Sequence, residues 1–368
     1  MIAITIGYEK EDDTNMIQWR YGALSKQQIE GALLEALRAA LTELFGPAPD
    51  DLIKMRMEQE LHAMEQSSLA LHLAALHDLT LWAKENAIPY RIAGTEASSF
   101  LLYLLGITRG CPLQPHYRCP KCHSVYWRFD TTDGFDLPHS HCIDDGTLMS
   151  GDGHDIPWRT YWGYPPHEPG FLITFPEQTR QSLLDALDQH WIITFDEEAT
   201  VDHPDKDDPD ILCFGHFCIA LERDSAPTAT SLEDAKAKWR ALLHEDSKHE
   251  PPLPEPGSFA DLVALFGLVH GIGVWDEDAH FMLEKLGYAP HELICFRDDV
   301  LQYLLDHDIA DKDAWKLSER IRKGRVPESL PEALYDGRDK WLLSRIKKAR
   351  YLCAKSVAVE YLLSHIEL

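Results

Sequence analysis

Cys119-Pro-Lys-Cys122 followed by Cys142-Ile-Asp-Asp145-Gly146 has the shape of a zinc ribbon with one cysteine replaced. Two thiolates at a Cys-x-x-Cys spacing chelate one tetrahedral ion from a tight turn, so the first knuckle is a fairly specific signal. In the second knuckle Asp145 holds the position of the missing cysteine, and a carboxylate oxygen is an acceptable zinc ligand. His141, His139 and His123 remain alternative fourth ligands. A pattern decayed to free thiols is the competing reading. The segment is loop-rich and offers no adjacent base, so one structural Zn2+ is the expected cofactor. The other five cysteines, Cys111, Cys213, Cys218, Cys295 and Cys353, are scattered and read mostly as buried apolar thiols.

The elements that must position this motif follow from pattern. Residues 1–8 alternate, residues 9–15 are polar and MIQWRYGAL resumes the pattern, which reads as a hairpin. Ser25 with Gln28 three residues on suggests a capping box. Ile29, Leu33, Leu37, Leu41 and Leu44 form one apolar stripe that Gly46-Pro47 ends. A longer helix is expected over about 55–85 and a short one over 97–105. From 109 to 169 the chain turns to Pro, Gly, His, Cys and aromatics, a composition that seldom builds a core without a metal. FLITF (171–175), WIITF (191–195) and ILCFGHFCIAL (211–221) read as strands, with a helix over 177–189 and an acidic loop over 196–210. EPPLPEPG (250–257) reads as a linker, and nearly everything beyond it as helix.

Charge bounds the function. The chain has 368 residues and a net charge of −26, from 61 acidic against 35 Lys and Arg side chains. Phosphate contacts need a local cationic surplus, so the balance argues against a general nucleic-acid binder. The exception is 312–355, where thirteen Lys and Arg face six Asp and Glu, while residues 1–311 carry −31. The hydrophobic share of 45% excludes wholesale disorder. No apolar run approaches bilayer length and the N-terminus lacks a signal-peptide layout, so a cytoplasmic protein without membrane association is expected.

PHYRCPKC (115–122), GFDLP (134–138) and DGHDIPWRTYWGY (152–164) together resemble the catalytic region of PolC-type bacterial replicative DNA polymerases. Upstream, GTEASSFLLYLLGIT (94–108) sits where that family has its phosphate-binding palm segment. Downstream, FADLVALFGLVHGIGVW (259–275), ELICFRDDVLQYLL (292–305), RIRKGR (320–325) and KKARYLCAKSVAVEYLL (347–363) follow the family's fingers domain in order. The resemblance covers roughly 55–180 and 255–365.

Its departures concern the chemistry. Nucleotidyl transfer in such enzymes uses two metal ions held by clustered carboxylates. Two of the family's aspartates align with Gly170 and Leu172, and the third with Leu212. Leucine cannot hold Mg2+, so that ion is not expected. Glu168 and Asp210 lie two residues before lost aspartates and are the substitutes that could rescue the site, though displaced by roughly 7 Å along their strands. The phosphate grip is altered as well, with Ala93 at the family's arginine and Glu96 following. Arg320, Arg322, Lys323 and Arg325, and later Lys347, Lys348, Arg350 and Lys355, match fingers helices that approach nucleotide and template. An inherited surface, or one paired with acidic groups, is the other reading of those cations.

The resemblance implies an α+β fold: a reduced palm at 55–249 with the zinc-ribbon-like insertion at about 109–169, preceded by a hairpin and helix at 1–54. After the linker at 250–257, a helical fingers-like domain is expected over 258–368. The expected function is that of a catalytically inactive PolC-like protein, an accessory, regulatory or scaffold factor working through a protein partner, with DNA disfavoured by charge. A divergent nucleotidyltransferase using displaced carboxylates, and a zinc-bearing interaction module with no nucleic-acid role, are the alternatives.

Overall fold

A computed structural model describes residues 16–19, 22–67, 69–166, 170–190, 211–214, 217–222, 228–245, 249, 251–327, 330 and 340–367. Residues 1–15, the strand expected at 191–195 and the acidic loop up to Asp210 lie outside them, as does Glu168. The chain divides into two compact units, Met1–Thr108 with Pro166–Ser225, and Arg109–Pro165 with Ala226–Leu368. This division differs from the sequence expectation: the Cys-rich segment belongs with the C-terminal helices, and 250–257 runs inside the second unit.

The first unit opens with a hairpin of β1 (Met16–Trp19) and β2 (Gly22–Ser25), followed by α1 (Lys26–Phe45). The hairpin lies wholly within the segment expected to supply only its second strand. Along α1, Ile29, Leu33 and Leu37 are buried, as the stripe requires. The single helix expected over 55–85 is two, α2 (Asp51–Ser67) and α3 (Ala70–Glu85). At the break the Ser67 hydroxyl donates to the Ala63 and Met64 carbonyls, the local bonding by which serine competes with helix continuation. Next come β3 (Arg91–Ile92), a 3-10 turn at Thr95–Ser98 and α4 (Phe100–Leu104).

The second unit begins with small strands, β4 (His116–Arg118), β5 (Val125–Trp127), β6 (Ser140–His141), β7 (Leu148–Met149) and β8 (Gly151–Asp152), then α5 (Arg159–Trp162). β5, β4 and β8 form one antiparallel sheet, β6 and β7 another. The chain then completes the first unit with β9 (Phe171–Pro176), α6 (Arg180–His190), β10 (Ile211–Phe214) and β11 (Phe217–Glu222). The strand expected over 211–221 is two, β10 and β11, paired antiparallel. Strand order in this sheet is β10-β11-β9-β3, with β11 parallel to β9. Phe171, Ile173 and Phe175 are buried, with His72 stacked on Phe171 and Tyr90 tilted against Phe175.

Helices finish the second unit: α7 (Leu232–Ala237), α8 (Trp239–Leu242), α9 (Phe259–His270), α10 (Glu277–Leu286), α11 (Arg297–Asp306), α12 (Asp311–Ile321), α13 (Lys340–Lys348) and α14 (Lys355–His365). Every residue from Phe259 to Leu268 is buried, so α9 is the core helix around which the others pack. Its N-terminal amides are satisfied twice over. Ser258 accepts from Asp261 N–H, and the Asp136 carboxylate, 123 residues away in sequence, accepts from Phe259 and Ala260 N–H at 2.6 and 2.9 Å. Asp136 of the GFDLP block is therefore a helix cap.

Candidate functional site

The Cys-rich loops form two knuckles of the same geometry. In the first, Cys119 N–H donates to the Ser124 carbonyl at 3.0 Å and His123 N–H to the Cys119 carbonyl at 3.0 Å. In the second, Cys142 N–H donates to Thr147 at 2.8 Å and Gly146 N–H to Cys142 at 2.9 Å. Both turns need a left-handed residue at the same place, His123 at φ 62° and Gly146 at φ 74°. Superposing the two turns by these bonds puts Asp145 where the first knuckle has Cys122.

The ligand atoms of Cys119, Cys122, Cys142 and Asp145 all lie within 4.8 Å of one another. Cys122 Sγ is 3.5 Å from Cys142 Sγ, and Cys119 Sγ is 3.6 Å from Asp145 Oδ1. Sulfurs on one tetrahedral zinc stand about 3.8 Å apart, so the donor set fits that ion. The fourth donor of this group is Asp145; His141, His139 and His123 do not belong to it. The surroundings act unequally on the donors: two are held toward the ligating form, while desolvation and the neighbouring Cys122 raise the Cys142 thiol. Lys121 and Cys122 N–H point at Cys119 Sγ at 3.4 Å each. Bonding to Ser124 holds the Cys122 thiol below its ordinary range, and bonding to Thr147 does the same for the Asp145 carboxyl. Tyr126 O–H reaches Cys142 Sγ at 3.5 Å and Asp144 at 3.2 Å. The buried core beneath consists only of Tyr117, Cys119, Cys142 and Met149, too little to hold these loops by apolar burial alone.

The carboxylate-equivalent positions lie in the first unit. Gly170 immediately precedes β9 and Leu172 sits in it, where the register aligns Leu172 with Cys218 and Cys218 with Cys213. Leu212 pairs instead with Ile219, in the row of Ile173. Successive rows alternate between the faces of a sheet, so positions 172 and 212 do not share a row or a face. Glu168 and Asp210 fall outside the described residues. Among the described residues, neither of the two groups of clustered metal-type donors includes any residue of β9 to β11.

Two buried carboxylates bond this region: Glu96, within the segment read as the counterpart of the phosphate grip, and Glu60, which reaches it from α2. Glu96, 2% exposed, accepts from Leu172 N–H at 2.5 Å, and its other oxygen would lie 2.1 Å from a Cβ placed on Gly94. Glu60, fully buried, accepts from the Ser99 hydroxyl at 2.6 Å and Phe100 N–H at 2.9 Å, at the start of α4. Arg56 pairs with Glu60 at 2.5 Å and donates to the Ser98 carbonyl. The amides that could meet an anion here are thus met by the chain's own acids.

The basic residues are brought together, but several are committed within the fold. Leu352 N–H donates to the Arg322 carbonyl, and a Cβ on Gly324 would stand 2.7 Å from Arg350 O, so 320–325 lies against 350–352. Arg322 pairs with Glu319 at 2.8 Å. Lys348 pairs with Asp276 at 3.0 Å and with Asp278. Arg350 donates to the Lys347, Lys348 and Ala349 carbonyls that end α13. Lys355 opens α14, its N–H bonded to Asp298 at 2.7 Å. Arg320, Lys323 and Arg325 are exposed.

The remaining cysteines divide. Cys295 and Cys353 are buried thiols, pushed up by burial, Cys353 to about 12. Cys218, expected as a thiol, is disulfide-bonded.

Fold and site define a mixed α+β protein carrying a three-cysteine, one-aspartate metal-type cluster. No protein-family model matches the chain. Curated relatives do: it is 24% identical to the DNA polymerase III PolC-type of Thermotoga petrophila over 87% of this chain, and 24% identical to that of Caldanaerobacter subterraneus over 91%. The Bacillus subtilis protein of the same name is 22% identical over 93% of this chain. The chain is thus a distant relative of the PolC-type DNA polymerase III proteins, and it spans about a third of their length. The Thermotoga alignment runs over 440 positions, more than this chain contains, so the relative carries residues where this chain has none. Among the described residues no helix is long and apolar enough to cross a membrane.

Proposed function

We propose that this chain is a PolC-like protein without polymerase chemistry, which acts by binding, as an accessory, regulatory or scaffold factor in DNA replication, repair or defence. The observation that carries this reading is the replacement of the metal and phosphate groups by internal structure. Leu172 stands at an aspartate position, and its amide is held by Glu96. The α4 amides are held by Glu60. A triphosphate approaching this segment would meet the Glu96 carboxylate and amides already bonded within the chain.

In this reading the Cys119, Cys122, Cys142 and Asp145 cluster binds one structural zinc that ties the two knuckles together. The surface offered to a partner belongs to a body whose charge of −26 disfavours DNA.

Primer extension with Mg2+ or Mn2+ tests the proposal. No incorporation is expected. Incorporation that disappears on changing Glu168 or Asp210 would overturn it in favour of a divergent nucleotidyltransferase.

A further inference from the structure

We propose that Cys111, His116 and Asp152 form a second metal site, for a zinc-type divalent ion, separate from the knuckle cluster and sharing no ligand with it.

Their donor atoms lie within 4.8 Å of one another, with Cys111 and His116 fully buried. The placement is built by the strands. His116 and Asp152 are directly opposed in the β4–β8 pair, so both side chains stand on one face of that sheet. Cys111 arrives from a segment that runs alongside the chain after β8. His154 N–H donates to Cys111 O at 3.0 Å, Asp155 N–H to Leu113 O at 2.8 Å and Ile156 N–H to Pro112 O at 3.0 Å.

Glycines permit the approach. A Cβ on Gly153, at φ 95°, would lie 2.4 Å from Gln114 O, and one on Gly151 would lie 2.1 Å from Gly134 O. A larger residue at Gly153 would push the 111–116 segment away, and one at Gly151 would displace the Gly134–Leu137 turn that packs on β8.

Two supporting bonds orient the donors. His116 Nδ1 is 2.8 Å from the Gln114 carbonyl, which accepts the ring N–H and leaves Nε2 as the lone-pair nitrogen. Metal-binding histidines are characteristically held this way. Asp152 Oδ1 accepts from Gly153 N–H at 2.7 Å, fixing the carboxylate. One thiolate, one imidazole and one carboxylate make a borderline set that selects zinc over Mg2+ or Ca2+. Three protein ligands leave the fourth tetrahedral position to water or another small donor.

Metal stoichiometry of the full chain decides the matter, measured by mass spectrometry after zinc loading and desalting. Two equivalents are expected for the unaltered chain. Cys111→Ser should retain one, and Cys119→Ser with Cys122→Ser should retain the other. His116→Gln and Asp152→Asn, milder changes, serve if the Cys111 variant does not fold, and each should also lower the count from two to one. A single equivalent in the unaltered chain, lost on changing Cys119 and Cys122, would overturn the proposal. So would two equivalents that survive every change at Cys111, His116 and Asp152.

Discussion

The Glu96 carboxylate accepts a hydrogen bond from the Leu172 backbone N–H at 2.5 Å, across 76 residues of sequence. It joins the segment aligned with the polymerase phosphate grip to the strand aligned with its metal-binding aspartates. Ala93 N–H donates to Leu172 O at 2.8 Å, so the same residue is held on both sides.

Removing this bond should cost stability. Glu96→Ala leaves a part-buried amide without this partner, and a loss of about 1–3 kcal/mol is expected. Gly94→Ala, whose Cβ would strike the Glu96 carboxylate, should be destabilising by a similar amount. Urea titration checks both, as a lower midpoint at unchanged slope. An unaffected midpoint for Glu96→Ala would mean that the bond contributes nothing.

At the knuckles, Asp145→Cys should convert a three-sulfur set into a four-sulfur one with little change in the turn, because Gly146 and Thr147 already make the bonds that His123 and Ser124 make. Zinc should then be lost more slowly to a competing chelator than from the unaltered chain. Cys119→Ser should release the ion and loosen the loops around Tyr117 and Met149. Chelator competition followed optically measures both. Faster loss from Asp145→Cys would show that Asp145 is not the fourth ligand.

Two groups give the second unit a pH dependence of defined sign. The Asp261 carboxylate, 2.7 Å from His291, raises the histidine above its ordinary value. A raised histidine stabilises the folded state at pH below about 6.5, and that contribution is lost as pH rises through its folded value. Burial raises Asp299 to about 6. Here the folded state holds the proton more tightly than the unfolded one, so stability falls as pH climbs from about 4 to 6. Melting curves across pH should show both declines. Asp299→Asn should flatten the acid one and His291→Gln the neutral one; a variant that leaves its slope unchanged would sink that assignment.

The basic segment should matter more for the fold than for DNA. Lys348 is paired with Asp276 and Asp278, and Arg322 with Glu319. Alanine at either should lower stability by about 0.2–1 kcal/mol, the range of exposed ion pairs. DNA affinity, read by fluorescence anisotropy against salt, should be weak and unchanged by these substitutions. A steep salt dependence abolished by neutralising Arg322, Lys323, Lys347 and Lys348 would instead establish a working DNA surface.

Local patterns were legible in the sequence because the forces that set them act over a few residues. The Cys-x-x-Cys spacing implied the first knuckle, the apolar stripe through Ile29, Leu33 and Leu37 implied α1, and FLITF implied β9. Asp145 could be nominated from its place in the second knuckle, but the histidines nearby were equally eligible until both turns were seen to share one set of bonds. Other relationships were invisible because they join residues far apart in the chain. No local rule pairs Glu96 with Leu172, Glu60 with Ser99, or Asp136 with the start of α9. The register of β10, which puts Cys213 rather than Leu212 in the row of Leu172, depends on strand pairing. Cys111 read as one more apolar thiol until β4 and β8 paired and set it beside His116 and Asp152. The sequence by itself determined which residues could do chemistry; tertiary structure decided which of them meet, because burial and strand register act between segments that sequence proximity does not connect.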